Sequence, residues 1–351
     1  MKEMIDTIHR LTKGAGRTLK LMEVCGTHTV AIFRHGIRSV LPEGLELLSG
    51  PGCPVCVTSI EDVDRAIALS MKPDTILATF GDMMRVPGSR GNLYNARSEG
   101  ADVRIVYSPH DALELAIRNP DRRVVFFATG FETTSPLVAA ILYEAQLKDV
   151  KNFLIYSVHK LVPPALRALL TDSEVKVDGF ILPGHVSTII GPEPYEFIAR
   201  DFGKPAVITG FEPEDILQGI LMLLRQIVSE EASVEIQYRR AVRRGGNRKA
   251  MEMIERYFQA CSVHWRGIGT IPDSGLSLRQ EYERFDATRV FDTEVQSSPE
   301  PKACSCGEVL RGIKRPPECP LFAKRCTPDS PVGACMVSTE GSCAAYYKYF
   351  I

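Results

Sequence analysis

Residues 50–56 read Gly-Pro-Gly-Cys-Pro-Val-Cys, which places Cys53 and Cys56 with two residues between them. An apolar run over residues 45–49 precedes this stretch, and a helical pattern over residues 60–71 follows it. The order predicts a buried strand, a tight turn and a dithiol near the start of a helix. Because backbone N–H groups at a helix start stabilise a thiolate, such a dithiol is suited to redox exchange or to binding a soft metal.

Short apolar runs alternate with helical patterns on both sides of this stretch. We predict strands at residues 19–24, 45–49, 75–80, 103–107, 124–129, 152–158, 179–182 and 206–209. We predict helices at residues 1–13, 30–40, 60–71, 110–118, 135–146, 163–170, 192–201, 214–228 and 247–258, and a loop at residues 83–95. This alternation predicts an α/β fold with parallel sheets and right-handed crossovers.

The sequence Thr-Gly-Phe-Glu occurs twice, at residues 129–132 and 209–212, each time between a predicted strand and a predicted helix. The repeat suggests two similar parallel-sheet α/β domains, followed by a small cysteine-rich domain. We assign residues 14–147 to the first domain, 148–262 to the second and 263–351 to the third, with residues 1–13 as a candidate addition to the third.

Composition narrows the class of protein. The 351 residues are 44% hydrophobic and 24% charged, as in ordinary globular proteins, and the formal net charge is −1. A balanced charge without long basic runs excludes wholesale nucleic-acid binding. No apolar run reaches the length that crosses a bilayer, and the first residues lack the apolar core of a signal peptide. We therefore expect a cytoplasmic protein that binds neither nucleic acid nor membrane.

The ten cysteines are distributed unevenly along the chain. In a reducing compartment they are not expected to form structural disulfides. Three stand near the start and one stands alone, whereas six crowd the C-terminal tail: Cys25, Cys53 and Cys56, then Cys261, then Cys304, Cys306, Cys319, Cys326, Cys335 and Cys343. This distribution indicates metal and redox chemistry.

The tail carries the most specific cysteine spacing. Four of its thiols form the pattern C-x14-C-x6-C-x16-C, namely Cys304, Cys319, Cys326 and Cys343. Four thiolates suit tetrahedral zinc or an iron–sulfur cluster, and the spacing does not choose between them. The tail also has too few periodic apolar residues to form a core alone, so a metal centre would supply its cross-linking. We interpret Cys306 and Cys335 as small buried thiols beside the metal.

A second candidate site follows the first predicted strand. Residues 25–29 read Cys-Gly-Thr-His-Thr and place a thiol and an imidazole, Cys25 and His28, three positions apart. The pair is typical of metal ligands or of a thiolate activated by its histidine, and the alternative is a buried structural cysteine.

Other polar residues stand at the ends of predicted strands, where parallel sheets collect their sites. Asp82 and Glu132 are candidates for proton handling or for helix capping, whereas His159 and His185 either line the same cleft or are structural. No nucleotide-binding glycine motif and no zinc-protease motif occurs in the sequence. The sequence therefore gives no motif that would support ATP hydrolysis, dinucleotide binding or zinc-protease chemistry.

Taken together, five features resemble the HypD family of hydrogenase maturation proteins. They are residues 25–29, residues 50–56, the Gly-Phe-Glu-Thr-Thr of residues 130–134, the Pro-Gly-His-Val-Ser of residues 183–187, and the cysteine tail with residues 335–343. The resemblance spans nearly the whole chain. It implies a fold of two similar α/β domains plus a cluster-bearing domain. It also implies a scaffold for assembling the Fe(CN)2CO group of NiFe hydrogenases.

The resemblance also implies roles for particular residues. It implies a 4Fe-4S cluster on the cysteine quartet of the tail, Cys304, Cys319, Cys326 and Cys343. It implies that Cys25 shares an iron atom with a cysteine of the partner HypC, and that His28 helps to hold or activate this iron. Cys53 and Cys56 resemble a redox pair that relays electrons between cluster and iron.

The same resemblance names the partners and the cargo. It implies that two cyanides and one carbon monoxide are installed on the iron, and that the cyanide comes from the transient partner HypE, with HypF as a candidate further partner. It also implies a maturation scaffold with redox activity rather than a conventional turnover enzyme. Two rival hypotheses are a ferredoxin-linked thiol–disulfide reductase and a binding protein with a structural zinc tail.

Overall fold

The computed structural model describes residues 1–350 and contains two parallel sheets. The five-stranded sheet has the order β2-β1-β7-β8-β9, with Leu19–Glu23 (β1), Leu45–Ser49 (β2), Gly179–Pro183 (β7), Ala206–Thr209 (β8) and Val234–Ile236 (β9). The four-stranded sheet has the order β4-β3-β5-β6, with Thr75–Thr79 (β3), Asp102–Ile105 (β4), Arg123–Ala128 (β5) and Phe153–Ser157 (β6). The predicted α/β class is confirmed, and the C-terminal region is cysteine-rich as expected.

Helices connect and cover the strands. They are Lys2–Gly14 (α1), Gly26–Arg34 (α2), Ile37–Val40 (α3), Pro54–Val57 (α4), Ile60–Ser70 (α5), Leu93–Ser98 (α6), Pro109–Arg118 (α7), Ser135–Leu147 (α8), Val162–Thr171 (α9), Gly184–Ile190 (α10), Phe197–Phe202 (α11), Pro213–Ser229 (α12), Arg248–Tyr257 (α13), Ala287–Val290 (α14), Cys306–Leu310 (α15) and Ser342–Phe350 (α16). Short 3₁₀ turns lie at Gly81–Arg85, Glu193–Tyr195, Gln280–Phe285, Pro316–Glu318 and Ala334–Met336. Over residues 1–350, no helix combines the length and the apolar character that a membrane crossing requires.

The strand pairing corrects the predicted domain boundary between residues 147 and 148. Strand β1 pairs with β7 across a long gap in sequence, with Glu23 opposite Ile181. Strand β6 was expected in the second domain, but it pairs with β5 in the four-stranded sheet. The chain therefore starts one sheet, builds the other and then returns to the first. Alternation of apolar runs identifies strands, but it does not specify which of them become neighbours.

The N-terminal helix corrects a second expectation. Residues 1–13 were a candidate part of the cysteine-rich domain, but α1 packs against α12. Its buried Ile8 joins a core that contains Leu21 of β1 and Ile220 of α12. The helix therefore belongs to the layer that covers the five-stranded sheet.

Glycines account for two further differences from prediction. The expected helix over residues 30–40 is two helices, because Gly36 adopts a left-handed conformation (φ 63°) between them. The region around and after Cys261 forms an antiparallel hairpin of Phe258–Trp265 (β10) and Gly269–Leu278 (β11). Its glycines and a proline interrupt any regular strand pattern in the sequence. The hairpin turns at Gly267 (φ 71°), and its register shifts after Cys261, so the apparent breakers are a turn and a bulge.

The cysteine-rich tail has no core of its own. Its buried side chains, including Cys335 and Tyr346, belong to the same apolar core as Met22 of β1 and Phe180 of β7. Trp265 of the hairpin lies in this core as well. The tail therefore folds onto one face of the five-stranded sheet, close to the carboxyl ends of its strands.

Candidate metal and dithiol site

The loops that carry Cys25 and the dithiol leave the five-stranded sheet side by side. Strands β1 and β2 are parallel neighbours with Glu23 opposite Ser49, so both loops start at the same edge. The Gly50 N–H donates to the Glu23 carbonyl oxygen (2.8 Å), and the Gly26 N–H donates to the Gly52 carbonyl oxygen (3.0 Å). The main chain therefore joins the two loops, at the edge where parallel sheets place their sites.

The contact between the loops requires a glycine at position 52. A Cβ atom at Gly52 would overlap the backbone of Val24 and of Cys25 itself, far inside van der Waals contact. Backbone atoms in two hydrogen-bonded strands do not move aside as a flexible side chain does. Gly52 therefore sets how closely the dithiol loop approaches Cys25.

We expect Gly52→Ala to push the two loops apart and to lower the free energy of unfolding by about 2–4 kcal/mol, because overpacking against backbone forces a main-chain shift. Chemical denaturation of the full chain measures this. Gly14→Ala is the matched control, because a Cβ at Gly14 meets no atom within 4 Å. Equal stability of the two variants would contradict the close approach.

The dithiol is buried and in its oxidised form. Cys53 and Cys56 form a disulfide with a Cα–Cα distance of 5.3 Å, and their exposed fractions are 3% and 0%. Cys53 is the N-cap of α4, and its Sγ accepts the Cys56 N–H (3.2 Å). After reduction, the same N–H would stabilise a thiolate on Cys53. The sequence placed this pair at a helix start, and the structure adds the short helix α4 that carries it.

Cys25 is the N-cap residue of α2 and is 8% exposed. Burial raises the pKa of its thiol to about 12, and the nearby Glu340 carboxylate raises it further, whereas hydrogen bonds from His28 and Thr27 lower it. The thiol is therefore protonated in the chain alone. A bound cation would favour the thiolate, because a metal displaces the thiol proton.

Glu23 was missed in the sequence analysis because it reads as an ordinary strand residue. It is fully buried, and burial raises the pKa of its carboxyl to about 7, against hydrogen bonds from Thr29 and Ser49 that lower it. Its carboxyl oxygens accept the Cys25 N–H (3.3 Å) and the Thr29 hydroxyl (2.5 Å). Glu23 therefore fixes the backbone of the loop that presents Cys25.

His28 is buried on α2, and its surroundings select one tautomer. Its Nε2 lies 2.9 Å from the Gly210 carbonyl oxygen and 2.9 Å from the Thr209 hydroxyl. Because a carbonyl oxygen only accepts, Nε2 carries the proton and Nδ1 keeps a free lone pair. Among the described residues, His28 Nδ1 is buried without a hydrogen-bond partner. Burial lowers the pKa of His28 to about 4, so the ring is neutral near pH 7.

The second Thr-Gly-Phe-Glu sequence supplies these contacts to His28. Phe211 stacks between two imidazoles, with centroid distances of 4.6 Å to His28 and 3.9 Å to His185. Residues 209–212 thus position both histidines, a role that the sequence did not reveal. His185 is exposed on α10, and partial burial lowers its pKa.

The C-terminal segment closes over the Cys25 loop. The Thr27 hydroxyl donates to Glu340 Oε1 (2.8 Å), and the Glu340 backbone lies where a Cβ of Gly26 would be. Helix α16 packs on α2, with the rings of Phe33 and Tyr346 edge to face at 4.5 Å. The tail and the Cys25 loop are therefore parts of one structure.

All six tail cysteines surround one small internal space. The four predicted ligands line it together with the two thiols that we had placed beside the metal: Cys304, Cys319, Cys326, Cys343, Cys306 and Cys335. Ser305, Phe322, Gly333 and Met336 also line it, so the lining is almost entirely apolar apart from sulfur. Burial raises the pKa of Cys326, and a hydrogen bond with Cys306 together with burial raises the pKa of Cys304, so the chain alone holds these thiols protonated.

The thiols around this space are the donor type that binds zinc or an iron–sulfur cluster. Among residues 1–350, no group of three or more possible ligands lies in position to hold a single ion. Each cysteine of a four-iron cluster binds a different iron, so its sulfurs line a space and do not converge on a point. Cys326 Sγ also accepts the Val332 N–H (3.3 Å), the kind of hydrogen bond that sulfurs of such clusters receive. A Cβ at Gly333 would lie 2.9 Å from Cys304 Sγ, so glycine at this position leaves room for that sulfur.

The tail thiols also reach toward the dithiol. Cys335 Sγ lies 3.5 Å from Cys343 Sγ, and Cys306 is in side-chain contact with both Cys304 and Cys335. The 3₁₀ turn Ala334–Met336, which carries Cys335, contacts helix α4 of the dithiol. The turn that carries Cys335 therefore connects the tail thiols to the helix of the Cys53–Cys56 pair, which the isolated position of Cys335 in the sequence did not suggest.

The remaining strand-end candidates have separate surroundings. Glu132 Oε1 accepts the Val162 N–H (2.9 Å) at the start of α9, so Glu132 caps that helix. His159 is buried, with its Nδ1 3.0 Å from the Ser157 hydroxyl and its ring against Phe258. Asp82 lies in the 3₁₀ turn after β3. Over residues 1–350, none of these three residues forms a hydrogen bond with a cysteine.

A family model and two known relatives that match this chain carry the same family name. The family model HypD, described as "Hydrogenase formation hypA family", matches residues 1–350. The chain is 48% identical over 350 residues to the hydrogenase maturation factor HypD of Escherichia coli, covering 99% of this chain and 94% of that protein. It is 51% identical over 340 residues to the hydrogenase maturation factor HypD of Azotobacter vinelandii, covering 95% of this chain and 90% of that protein.

Proposed function

The chain belongs to the HypD family of hydrogenase maturation factors, and from this premise we propose that it is the scaffold on which the Fe(CN)2CO group is assembled with HypC and HypE. In this proposal the iron with its diatomic ligands is cargo. The thiols of this chain hold it and handle the electrons. We place the work in a reducing compartment, the cytoplasm, where the thiols can cycle.

Cys25 and His28 would hold the iron. Cys25 gives up its proton on binding and supplies a soft thiolate, and ferrous iron bound to thiolate accepts cyanide and carbon monoxide. The free lone pair of His28 Nδ1 is the form of imidazole that binds or orients a metal centre. The cleft rim at His185 and Glu340 is where we expect HypC and HypE to dock.

Cys53 and Cys56 would handle electrons in pairs. Release of cyanide from a protein thiocyanate breaks an S–C bond and takes two electrons, leaving a thiolate and cyanide. A dithiol that becomes a disulfide gives up two electrons and two protons, so one Cys53–Cys56 cycle balances one such release. The burial of both sulfurs protects the reduced pair from other oxidants.

Cys304, Cys319, Cys326 and Cys343 would hold a 4Fe-4S cluster in the tail. When bound, such a cluster supplies single electrons at low potential. The chain contributes the apolar lining, the Val332 N–H and the glycine at position 333. Cys306 and Cys335 add two further thiols to this space, and the turn that carries Cys335 contacts helix α4 of the dithiol.

One observation carries the proposal. The dithiol loop is hydrogen-bonded to the Cys25 loop on one side, and its helix α4 contacts the cysteine-bearing turn Ala334–Met336 on the other. A disulfide reductase would need its dithiol open to substrate disulfides, and the burial of Cys53 and Cys56 disfavours that rival.

The Cys53→Ser/Cys56→Ser variant should support no hydrogenase activity in a host that lacks its own HypD, because the balancing electron pair is missing. Hydrogen uptake by the complemented cells is the measurement. Cys261→Ser is the control, because Cys261 is half-buried on β10 away from the other thiols, and it should restore wild-type activity. Activity from the double variant would refute the role of the dithiol.

A further inference from the structure

Two neighbouring grooves lie at the end of the five-stranded sheet opposite to Cys25. One, of about 730 Å³, is formed by the end of α1 and the loops before β1 and β2. The other, of about 450 Å³, is formed by the starts of β1, β7 and β8. Arg17 and Thr18 line both grooves, so the two form one continuous surface, here called the basic groove.

The basic groove concentrates positive charge. Six cations line it: Arg10, Lys13, Arg17, Lys20, Lys176 and Lys204. The whole chain has a net charge of −1, so this surface departs sharply from the average. The negative end of α1 accounts for Lys13 near its C-terminus, but Lys176 and Lys204 come from distant segments of the chain.

The chain does little to neutralise these cations. Asp178 is the single acidic residue in the lining, and both of its oxygens are occupied, by the Arg17 guanidinium (2.7 Å) and the Lys20 N–H (2.8 Å). Lys20 also lies 3.8 Å from Glu46. Over residues 1–350, Arg10, Lys13, Lys176 and Lys204 form no salt bridge, and of these four only Lys204 lies close enough to Asp178 to lower the pKa of its carboxyl. Arg10, Lys13 and Lys176 are therefore left to repel neighbouring cations or to meet an external anion.

We propose that the basic groove docks an acidic segment of a partner protein. Its length and its two connected parts suit an extended chain with several carboxylates better than one compact anion. Partly exposed apolar side chains, Leu170, Val175 and Phe202, lie among the cations and give apolar residues of such a segment a place to pack. Phe202 is the one Phe, Tyr or Trp side chain in the lining, so the groove lacks the row of aromatic rings on which the bases of a nucleic acid would stack.

This surface is separate from the sulfur groups, since Lys20 is in β1 and Cys25 follows the same strand at its other end. A partner bound here leaves the Cys25 loop free. The inference therefore does not depend on the proposed function, and either can fail without the other.

Fluorescence anisotropy with the full chain tests the proposal, using a short labelled peptide of Asp, Glu and Leu. We expect binding at low salt that weakens as salt rises. The charge-reversal variant Arg10→Glu/Lys13→Glu/Lys176→Glu should weaken it by about tenfold or more. The matched control Arg97→Glu/Arg244→Glu/Lys249→Glu carries the same change of net charge on exposed residues elsewhere, and it should change affinity by less than about twofold.

Three results would overturn the proposal. One is the absence of peptide binding to the wild-type chain. Another is an equal loss in both triple variants, which would mean that net charge alone matters. The third is displacement of the peptide by a single-stranded oligonucleotide or by inorganic phosphate at lower concentrations than by unlabelled peptide, which would assign the surface to a different anion.

Discussion

Anaerobically purified Cys326→Ala protein should contain almost no iron and almost no acid-labile sulfide, whereas the wild-type chain should carry about four of each. The thiols that act on Cys326 are themselves predicted ligands, Cys304 and Cys319. Cys326 therefore has no spare thiol among these neighbours, and its removal leaves one side of the internal space without a donor.

Substitution of Cys343 or Cys304, two further predicted ligands, should have a smaller effect. Cys343 Sγ lies 3.5 Å from Cys335 Sγ, and Cys304 is in side-chain contact with Cys306. A neighbouring thiol can therefore replace either one. We expect Cys343→Ala and Cys304→Ala to retain part of the iron, and Cys306→Ala to retain nearly all of it.

Iron and sulfide analysis with the visible absorption spectrum measures this series. Cys261→Ala serves as the control, and it should match the wild-type chain. Full iron content in Cys326→Ala would refute the cluster assignment. A colourless wild-type protein with one zinc ion would support the structural-zinc alternative instead.

Loss of the metal centre should also destabilise the folded tail. The tail contributes Cys335, Met336 and Tyr346 to a core that continues into β1 and β7. Because metal binding and folding are coupled in segments with little core of their own, a chain without the centre loses order first in the tail. The Cys25 loop, which contacts Glu340, would lose its cover at the same time.

The sequence predicted the elements of the fold better than their arrangement. Strands such as β3 and β5 are short, apolar and bounded by turns, so local pattern suffices to find them. Pairing of β1 with β7 joins segments that are far apart in the chain, and no local pattern reports it. The hairpin β10–β11 was missed because its turn and bulge consist of residues that usually end strands.

The same holds for the candidate site. Its thiols at special spacings and its Gly-Pro-Gly turn could be recognised from the sequence, because such patterns are rare without a purpose. Residues that matter through their position in the fold could not be recognised in this way. Glu23 looks like a strand residue, Phe211 looks like part of a repeat, and Glu340 lies in the tail, yet each contacts the Cys25 loop or His28.

Spatial convergence of the early sulfur groups is what the structure adds to the motifs. The loops of Cys25 and Cys53 are joined by main-chain hydrogen bonds, and Gly52 allows their close approach. His28 lies on the helix that Cys25 caps, with Nδ1 unpartnered. In the proposed function, Cys25 is therefore the residue without which the cargo iron cannot be held, and the cluster cysteines are not needed for that task.

Infrared spectroscopy of the chain copurified anaerobically with HypC tests this claim most directly. The wild-type chain should show bands of iron-bound cyanide and carbon monoxide. Cys25→Ala should lose all of them and still keep the iron and sulfide of the tail, as the Cys261→Ala control keeps both. Cyanide and carbon monoxide bands that persist at full strength in Cys25→Ala would contradict the account.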